Sequence, residues 1–147
     1  MALVWFNNLS DYGSNFAFVS HVLSMDDTFP GNQGMWRAIG TAPLHHAFYV
    51  LIILTEGLVA GLCFAGIRGL WLQRKAPGPV FQQAKRLAIL ALTLGFLLWF
   101  TGFISVGGEW FLMWQSQTWN GVQTAFQNAA ISLLLLIFLA SEQGEGV

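Results

Sequence analysis

Long apolar stretches separated by short polar connectors dominate this chain. A bilayer core is crossed by a helix of roughly 20 apolar residues, and the pattern predicts three such helices, at about 46–72, 87–106 and 122–140. A connector at 73–86 contains Pro77-Gly78-Pro79, which suits a sharp reversal. The pattern predicts an all-α transmembrane bundle forming one integral membrane domain over 1–147, with an aromatic outer region made of the segment 7–44 and the loop 107–121.

Composition supports a membrane protein. Apolar residues make up 55% of the chain and charged residues only 9%, far below the charge content of a soluble domain. The lone Cys63 excludes an intramolecular disulfide and a thiolate metal cluster. No nucleic-acid surface, phosphate-binding loop or nucleophile motif is found, so enzyme activity is not expected.

The basic residues predict an orientation. Five of the six fall within nineteen positions, between Arg68 and Arg86. Positively charged loops stay on the cytoplasmic side, so we expect the loop 73–86 and the acidic tail with Glu142 and Glu145 to be cytoplasmic. The segment 7–44 and the loop 107–121 are then periplasmic.

The start of the chain needs a separate explanation, because Met1 to Phe6 is apolar but too short to cross a bilayer. Either a further span lies upstream of Met1, which is the expectation we favour, or the weakly charged amino-terminal segment is translocated without a cleavable signal.

Several specific motifs are spread over nearly the whole chain. They are Asn7-Asn8-Leu9-Ser10-Asp11-Tyr12, His21-Val22-Leu23-Ser24-Met25-Asp26, Thr28-Phe29-Pro30-Gly31-Asn32, Met35-Trp36-Arg37-Ala38-Ile39, His45-His46, Glu56, Gly107-Gly108-Glu109-Trp110-Phe111, Met113-Trp114-Gln115-Ser116 and Trp119-Asn120-Gly121. In these motifs the chain resembles a bacterial family of predicted small integral membrane proteins whose function is unassigned. The resemblance implies four spans in full-length members and no catalytic residues to carry over, and we expect a location in the bacterial inner membrane.

Glu56 is the main candidate for a functional side chain, because it falls near the middle of the first predicted span. A charge at that depth costs from about 2.5 kcal/mol upward. Glu56 is therefore either a neutral, hydrogen-bonded structural carboxyl or a group with a proton, ion or quinone-related role. Trp99 and Asn128 fall near the same depth and are its expected hydrogen-bond partners.

The pair His45-His46 precedes Glu56 on the same predicted helix, and His45 lies close to the Glu56 face. The three residues are the candidate cofactor or transport site. A metal site at the outer surface is an alternative, but the spacing matches no established ligand motif. Its ligands would be His45, His46 and His21 with Asp26, Asp27 or Glu109. No metal or cofactor is expected, and haem or quinone remains the alternative.

Two further patterns suggest surfaces for helix packing or for a partner. Small residues recur every four positions in the first span, and such stripes let helices approach closely, within one bundle or between subunits. Outer tryptophans suit either the membrane interface or a subunit contact, with Trp110 and Trp114 on one face of a short helix. The residues are Gly57, Gly61, Ala65 and Gly69 in the stripe, and Trp110, Trp114 and Trp119 outside.

The leading functional hypothesis is a non-catalytic accessory or stabilising subunit of a larger respiratory, photosynthetic or transport complex, with membrane subunits and lipid as partners and no nucleic acid. The alternative is a small transporter, proton-conducting or cofactor-binding protein that uses Glu56 with His45 and His46. Arg37, the one basic residue on the outer side, is expected to pair with Glu109 or an aspartate.

Overall fold

The computed structural model describes residues 1–141, so the predicted acidic tail with Glu142 and Glu145 lies outside the described residues. Within residues 1–141 the chain is helical and contains no strand, which confirms the predicted all-α class. The helices are α1 (Ala2–Ser10), α2 (Tyr12–Ser24), α3 (Ala42–Leu72), α4 (Gly78–Ala84), α5 (Arg86–Leu97), a π-helical segment (Leu98–Trp110) and α6 (Val122–Ser141), with short 3-10 turns at Met35–Arg37 and Met113–Gln115.

Three helical stretches of residues 1–141 are long and apolar enough to cross a membrane, as predicted. These are α3 with 31 residues, the nearly continuous stretch Gly78–Trp110 with 33, and α6 with 20. Their most apolar windows have mean hydropathies of 2.3, 2.3 and 1.8. Pro43 stands in the first turn of α3, where its missing N–H removes no helical hydrogen bond.

The two ends of the bundle differ in composition. We call residues 68–86 the basic end, and residues 21–41 together with 109–121 the aromatic end. At the basic end, Lys85 Nζ donates to the Leu139 carbonyl over 3.1 Å, which joins the start of α5 to α6. At the aromatic end, the Ile39 amide donates to the Leu23 carbonyl over 2.8 Å, so the chain folds back onto α2 before it enters α3.

Helices α1 and α2 run antiparallel to α3 and pack beside it. Asp11 separates them and caps α2, since its Oδ1 accepts from the Ser14 amide over 3.4 Å. Trp5 lies against Gly57 in the middle of α3, and Tyr12 reaches His46 near its first turn. The predicted outer segment 7–44 therefore begins as a helix packed along α3, and its first residues are level with Glu56.

The segment Leu98–Trp110 is a π-helix of 13 residues, an unusual length because most π-helices are single turns, often at functional sites. Its bonding pattern continues to the end, where the Phe111 amide donates to the Val106 carbonyl over 3.0 Å. Gly102, Gly107 and Gly108 weaken the preference of this stretch for an α-helix. The wider helix carries the side chains that line one wall of the cavities described below.

Helices α3 and α5 come into close backbone contact at Gly66. A Cβ atom added at Gly66 would lie 2.8 Å from the backbone of Ala88, and Ala91 on the same side of α5 is completely buried. The small residue that lets the backbones of α3 and α5 approach is therefore Gly66, which does not belong to the predicted stripe.

Candidate membrane-embedded site

Glu56 is completely buried and hydrogen-bonded to the amino-terminal helix. Asn8 Nδ2 donates to Glu56 Oε2 over 2.7 Å. The Tyr49 hydroxyl lies 3.0 Å from the Asn8 carbonyl and 3.1 Å from Asn8 Oδ1, and donates toward both. The three side chains form a polar cluster between α1 and α3.

The expected partners of Glu56 make other contacts. Trp99 Nε1 donates to the Met1 sulfur over 3.2 Å, and Asn128 Nδ2 donates to the Thr124 carbonyl of its own helix over 2.9 Å. Sequence reasoning missed Asn8 because it assigned the segment from residue 7 to the outside. Pairing α1 against α3 would have found it, but a hydropathy profile contains no information about which helices are neighbours.

A cavity of about 340 Å³ adjoins this cluster, between α1, α2, α3, the π-helical segment and the start of α6. Glu56 lines it, and Glu56 Oε1 has no hydrogen-bond partner among the described residues. The cavity is rich in amides. Its polar side chains are Asn7, Asn8, Asn15, Tyr49, Glu56, Asn120 and Thr124. We call it the polar cavity.

A second cavity of about 310 Å³ lies beside the first and is almost entirely apolar. We call it the apolar groove. It runs between α2, α3 and the π-helical segment, and its one polar side chain, Thr55, donates its hydroxyl to the Leu51 carbonyl over 2.8 Å. Four residues line both spaces, so the two are direct neighbours: Phe18, Val19, Ile52 and Phe103.

The two adjacent histidines have different surroundings. His45 is buried, and its Nε2 donates to the Ile39 carbonyl over 2.6 Å, which ties the start of α3 to the preceding segment. His46 Nδ1 shares a hydrogen bond of 2.8 Å with the Tyr12 hydroxyl, and its ring stacks on Phe16 with centroids 4.0 Å apart. Neither histidine lines either cavity with Glu56.

His21 belongs to a third arrangement, at the aromatic end. Its Nδ1 lies 2.9 Å from Asp26, and its ring stacks on Trp119 with centroids 4.4 Å apart. Residues 1–141 contain no cluster of three or more histidine, cysteine or acidic side chains arranged to hold a metal ion.

The predicted stripe on α3 is divided by the structure. Gly57 is covered, because a Cβ atom there would lie 2.8 Å from Trp5 Nε1, and Gly69 lies near the Ala84 carbonyl. Gly61 and Ala65 are exposed on the surface of the bundle, and an added Cβ at Gly61 would meet nothing within 4 Å.

The tryptophans that were expected to lie outside belong to different elements. Trp110 ends the π-helical segment and Trp114 lies in a 3-10 turn, so the expected shared face of one short helix is wrong. The helical conformation is interrupted between them at Leu112, whose φ of 55° is left-handed. Both tryptophans are about half exposed, whereas Trp119 is partly buried beneath His21.

Arg37 also differs from expectation. Its guanidinium lies 5.8 Å from the ring of Trp36 and 5.5 Å from that of Trp110, and its Nε donates to the Gly34 carbonyl over 3.2 Å. Among residues 1–141 it forms no ion pair with Glu109 or an aspartate. The tryptophan faces supply the negative potential that we expected from a carboxylate.

Asp27 connects the two segments of the aromatic end. Asp27 Oδ2 accepts from the Ser116 hydroxyl over 2.5 Å and from the Thr118 amide over 3.2 Å. Hydrogen bonds to the charged form, first from Ser116 and then from Thr118, lower the pKa of Asp27 below its usual 3.8.

Three long apolar helices around a buried carboxyl and amide pair define a small multi-pass integral membrane protein. The chain belongs to the family of predicted small integral membrane proteins called DUF2165, whose family model matches residues 1–142. This finding confirms the resemblance noted in the sequence. No curated protein and no solved structure is detectably similar to the chain.

Proposed function

We propose that this protein is a non-catalytic accessory subunit of a larger complex in the bacterial inner membrane, serving respiration, photosynthesis or transport. The observation that carries the proposal is the exposure of Gly61 and Ala65 on the outer face of α3. In lipid, helices associate through close backbone contact at small residues, because burial of apolar surface gains little there.

The surroundings of Gly61 support a helix as the partner. Leu58 and Phe64, one turn away on either side, are 56% and 65% exposed and form ridges beside the shallow surface at Gly61 and Ala65. Trp5 fills the corresponding position at Gly57 within the same chain. A transmembrane helix of another subunit fits the part of the stripe that the chain leaves open.

The orientation that accompanies this proposal follows from the charges. The basic end is cytoplasmic and the aromatic end is periplasmic, because arginine and lysine are retained on the inner side. Trp110 and Trp114, about half exposed, then lie in the outer headgroup region, where they contact lipid or the same partner.

A pull-down from native membranes tests the proposal. Tagged protein is extracted in mild detergent, and its partners are identified by mass spectrometry. Replacement of Gly61 or Ala65 by leucine should abolish co-purification of a stoichiometric membrane partner without unfolding the chain. Ala140→Leu is the matched control, because Ala140 is exposed on α6. Equal recovery of the partner with Gly61→Leu, or purification of the wild type without one, contradicts the proposal.

A second candidate function is proton conduction or transport through Glu56. The observation that favours it is a row of polar side chains from the middle of α3 toward the aromatic end. Asn8 and Tyr49 extend the row from Glu56, the Tyr49 and Tyr12 rings meet edge-on with centroids 4.7 Å apart, and Tyr12 bonds His46. The row includes His46 rather than His45.

Proteoliposomes loaded with a pH-sensitive dye test this candidate. A potential imposed across the membrane should drive protons through the wild-type protein, so the luminal pH should change in the direction set by the sign of the potential. Glu56→Gln should stop this proton flux while the protein stays folded. Glu109→Gln, at an exposed acid of the aromatic end, should leave the flux unchanged. An equal flux in the Glu56→Gln variant would rule Glu56 out as the conducting group.

A further inference from the structure

The polar cavity and the apolar groove lie side by side between the helices of the bundle. We propose that together they bind one neutral membrane amphiphile, with a hydroxyl- or carbonyl-bearing head in the polar cavity and a hydrocarbon tail in the apolar groove. This inference goes beyond both proposed functions, because the site is complete within one chain, whether that chain acts alone or in a complex.

The unpartnered oxygen of Glu56 points to a ligand head. Glu56 is 0% exposed, and its Oε1 has no hydrogen-bond partner among residues 1–141, although its Oε2 accepts from Asn8. Buried polar atoms in proteins almost always have a partner, from the protein or from an ordered molecule. A hydroxyl or carbonyl group in the cavity would complete the hydrogen bonding of the carboxyl group.

The rest of the polar cavity favours an uncharged head. No lysine, arginine or histidine lines it, so an anionic headgroup would lack a counter-charge, and Glu56 would disfavour it. The amides of Asn7, Asn15 and Asn120 can both donate and accept, which suits a head with several neutral oxygens. A cationic head would require a buried ion pair with Glu56, whose desolvation is costly.

The apolar groove is suited to the tail and can be reached from the bilayer. Phe48, Leu51 and Val106 line the groove and are 39%, 60% and 42% exposed on the surface of the bundle, so an acyl or isoprenoid chain could enter sideways from the lipid. Phe18 and Phe103, both partly buried, stand between the groove and the polar cavity. Each cavity is within the size range of small-molecule sites.

A binding experiment with defined probes tests the proposal. The full chain is placed in phosphatidylcholine nanodiscs and titrated with radiolabelled dioctanoylglycerol, which has one hydroxyl and two ester carbonyls. We expect saturable binding of one molecule per chain. Loss of the hydrogen bond to the head in Glu56→Leu should weaken this binding at least about tenfold, and Glu109→Gln should leave it unchanged.

A second variant keeps the test informative if Glu56→Leu does not fold. A Cβ atom at Gly102, which lines the groove, would meet only Leu98 at 3.8 Å, so Gly102→Leu fills the groove without a clash at Cβ. It should leave thermal stability intact and weaken dioctanoylglycerol binding at least about tenfold.

Three outcomes overturn the proposal. Equal affinity in folded Gly102→Leu excludes the groove as the tail site. Tighter binding of octanoate or dodecylamine than of dioctanoylglycerol excludes a neutral head. Absence of saturable binding to the wild type means that the polar cavity holds ordered water only.

Discussion

Helix α3 contacts its two main neighbours in different ways. Toward α5 it presents Gly66, which approaches the Ala88 backbone so closely that no side chain fits between them. Toward α1 it presents Glu56 and Tyr49, which hold Asn8 through hydrogen bonds of 2.7 to 3.1 Å. One contact depends on close backbone packing and the other on polar side chains, and these are the two ways in which helices associate in lipid.

The cavities lie on the side of α3 that faces α1 and α2, and not on the side that faces α5. No residue of α5 lines either the polar cavity or the apolar groove, whereas α2, α3 and the π-helical segment line both. Small residues on α3 and α5 leave no space between the two helices. Between α1 and α3, the hydrogen-bonded side chains hold the helices together but do not fill the space around them. The polar contact therefore leaves room for a ligand.

Replacement of Gly66 by leucine should break the packed contact and have the largest effect. A side chain there must displace the backbone of α5, and we expect a loss of about 3 kcal/mol in the free energy of unfolding, the upper end for overpacking. Gly61→Leu, at an open position on the same helix, should change it by less than about 0.5 kcal/mol. Chemical denaturation in detergent followed by circular dichroism measures both, and equal stabilities would refute the assignment of Gly66 as the packing residue.

Replacement of Glu56 by leucine should break the polar contact at a smaller cost. It leaves the Asn8 amide buried without an acceptor, and we expect a loss of about 2 kcal/mol. Glu56→Gln retains an acceptor for Asn8, so it should cost less than about 0.5 kcal/mol. If both variants have the same stability, the hydrogen bond to Asn8 does not hold α1 in place.

Tyr49→Phe sharpens the description of the polar contact. It removes the hydroxyl that donates to Asn8, with an expected cost of about 1 kcal/mol. Because Tyr49 and Glu56 both act on Asn8, the effects of Tyr49→Phe and Glu56→Leu should not add. A double-mutant cycle should give a coupling of at least about 0.5 kcal/mol, and strict additivity would show two independent contacts.

The smallest expected effect concerns Asp27, which lies outside both helix contacts. The pKa of Asp27 is lowered in the folded protein by its hydrogen bonds to Ser116 and Thr118. Its contribution to stability is therefore complete above the unfolded value of about 3.8 and is lost as the pH falls through the lower folded pKa. Thermal unfolding in detergent should show a midpoint that falls below pH 4 in the wild type and falls less in Asp27→Asn.

The sequence predicts the three spans well, because a helix that crosses a bilayer needs about 20 apolar residues, and apolar segments of that length rarely occur by chance. It predicts helix faces poorly. Nearly every face of α3 is apolar, so the four-residue spacing of Gly57, Gly61, Ala65 and Gly69 does not say which face is inward, and Gly66 was missed. The π-helical geometry of Leu98–Trp110 has no distinct hydropathy pattern.

The candidate site illustrates the same limit. The depth of Glu56 could be predicted from the ends of its span, and so could the need for a hydrogen-bond partner. The identity of that partner could not, because it depends on how the amino-terminal helices pack against α3. Asn8 and Glu56 are 48 residues apart in the chain and meet only in the folded bundle.

The order of Asn8 and Glu56 in the chain has a consequence for biogenesis. Asn8 precedes Glu56 by 48 residues, so at ribosomal rates of 5–20 residues per second it is synthesised roughly 2 to 10 seconds earlier. A carboxyl that enters the bilayer in an apolar helix costs from about 2.5 kcal/mol upward when it is alone. Asn8 is therefore already synthesised when α3 enters the bilayer. Glu56 can form its hydrogen bond to Asn8 as α3 leaves the insertion machinery, without facing lipid alone.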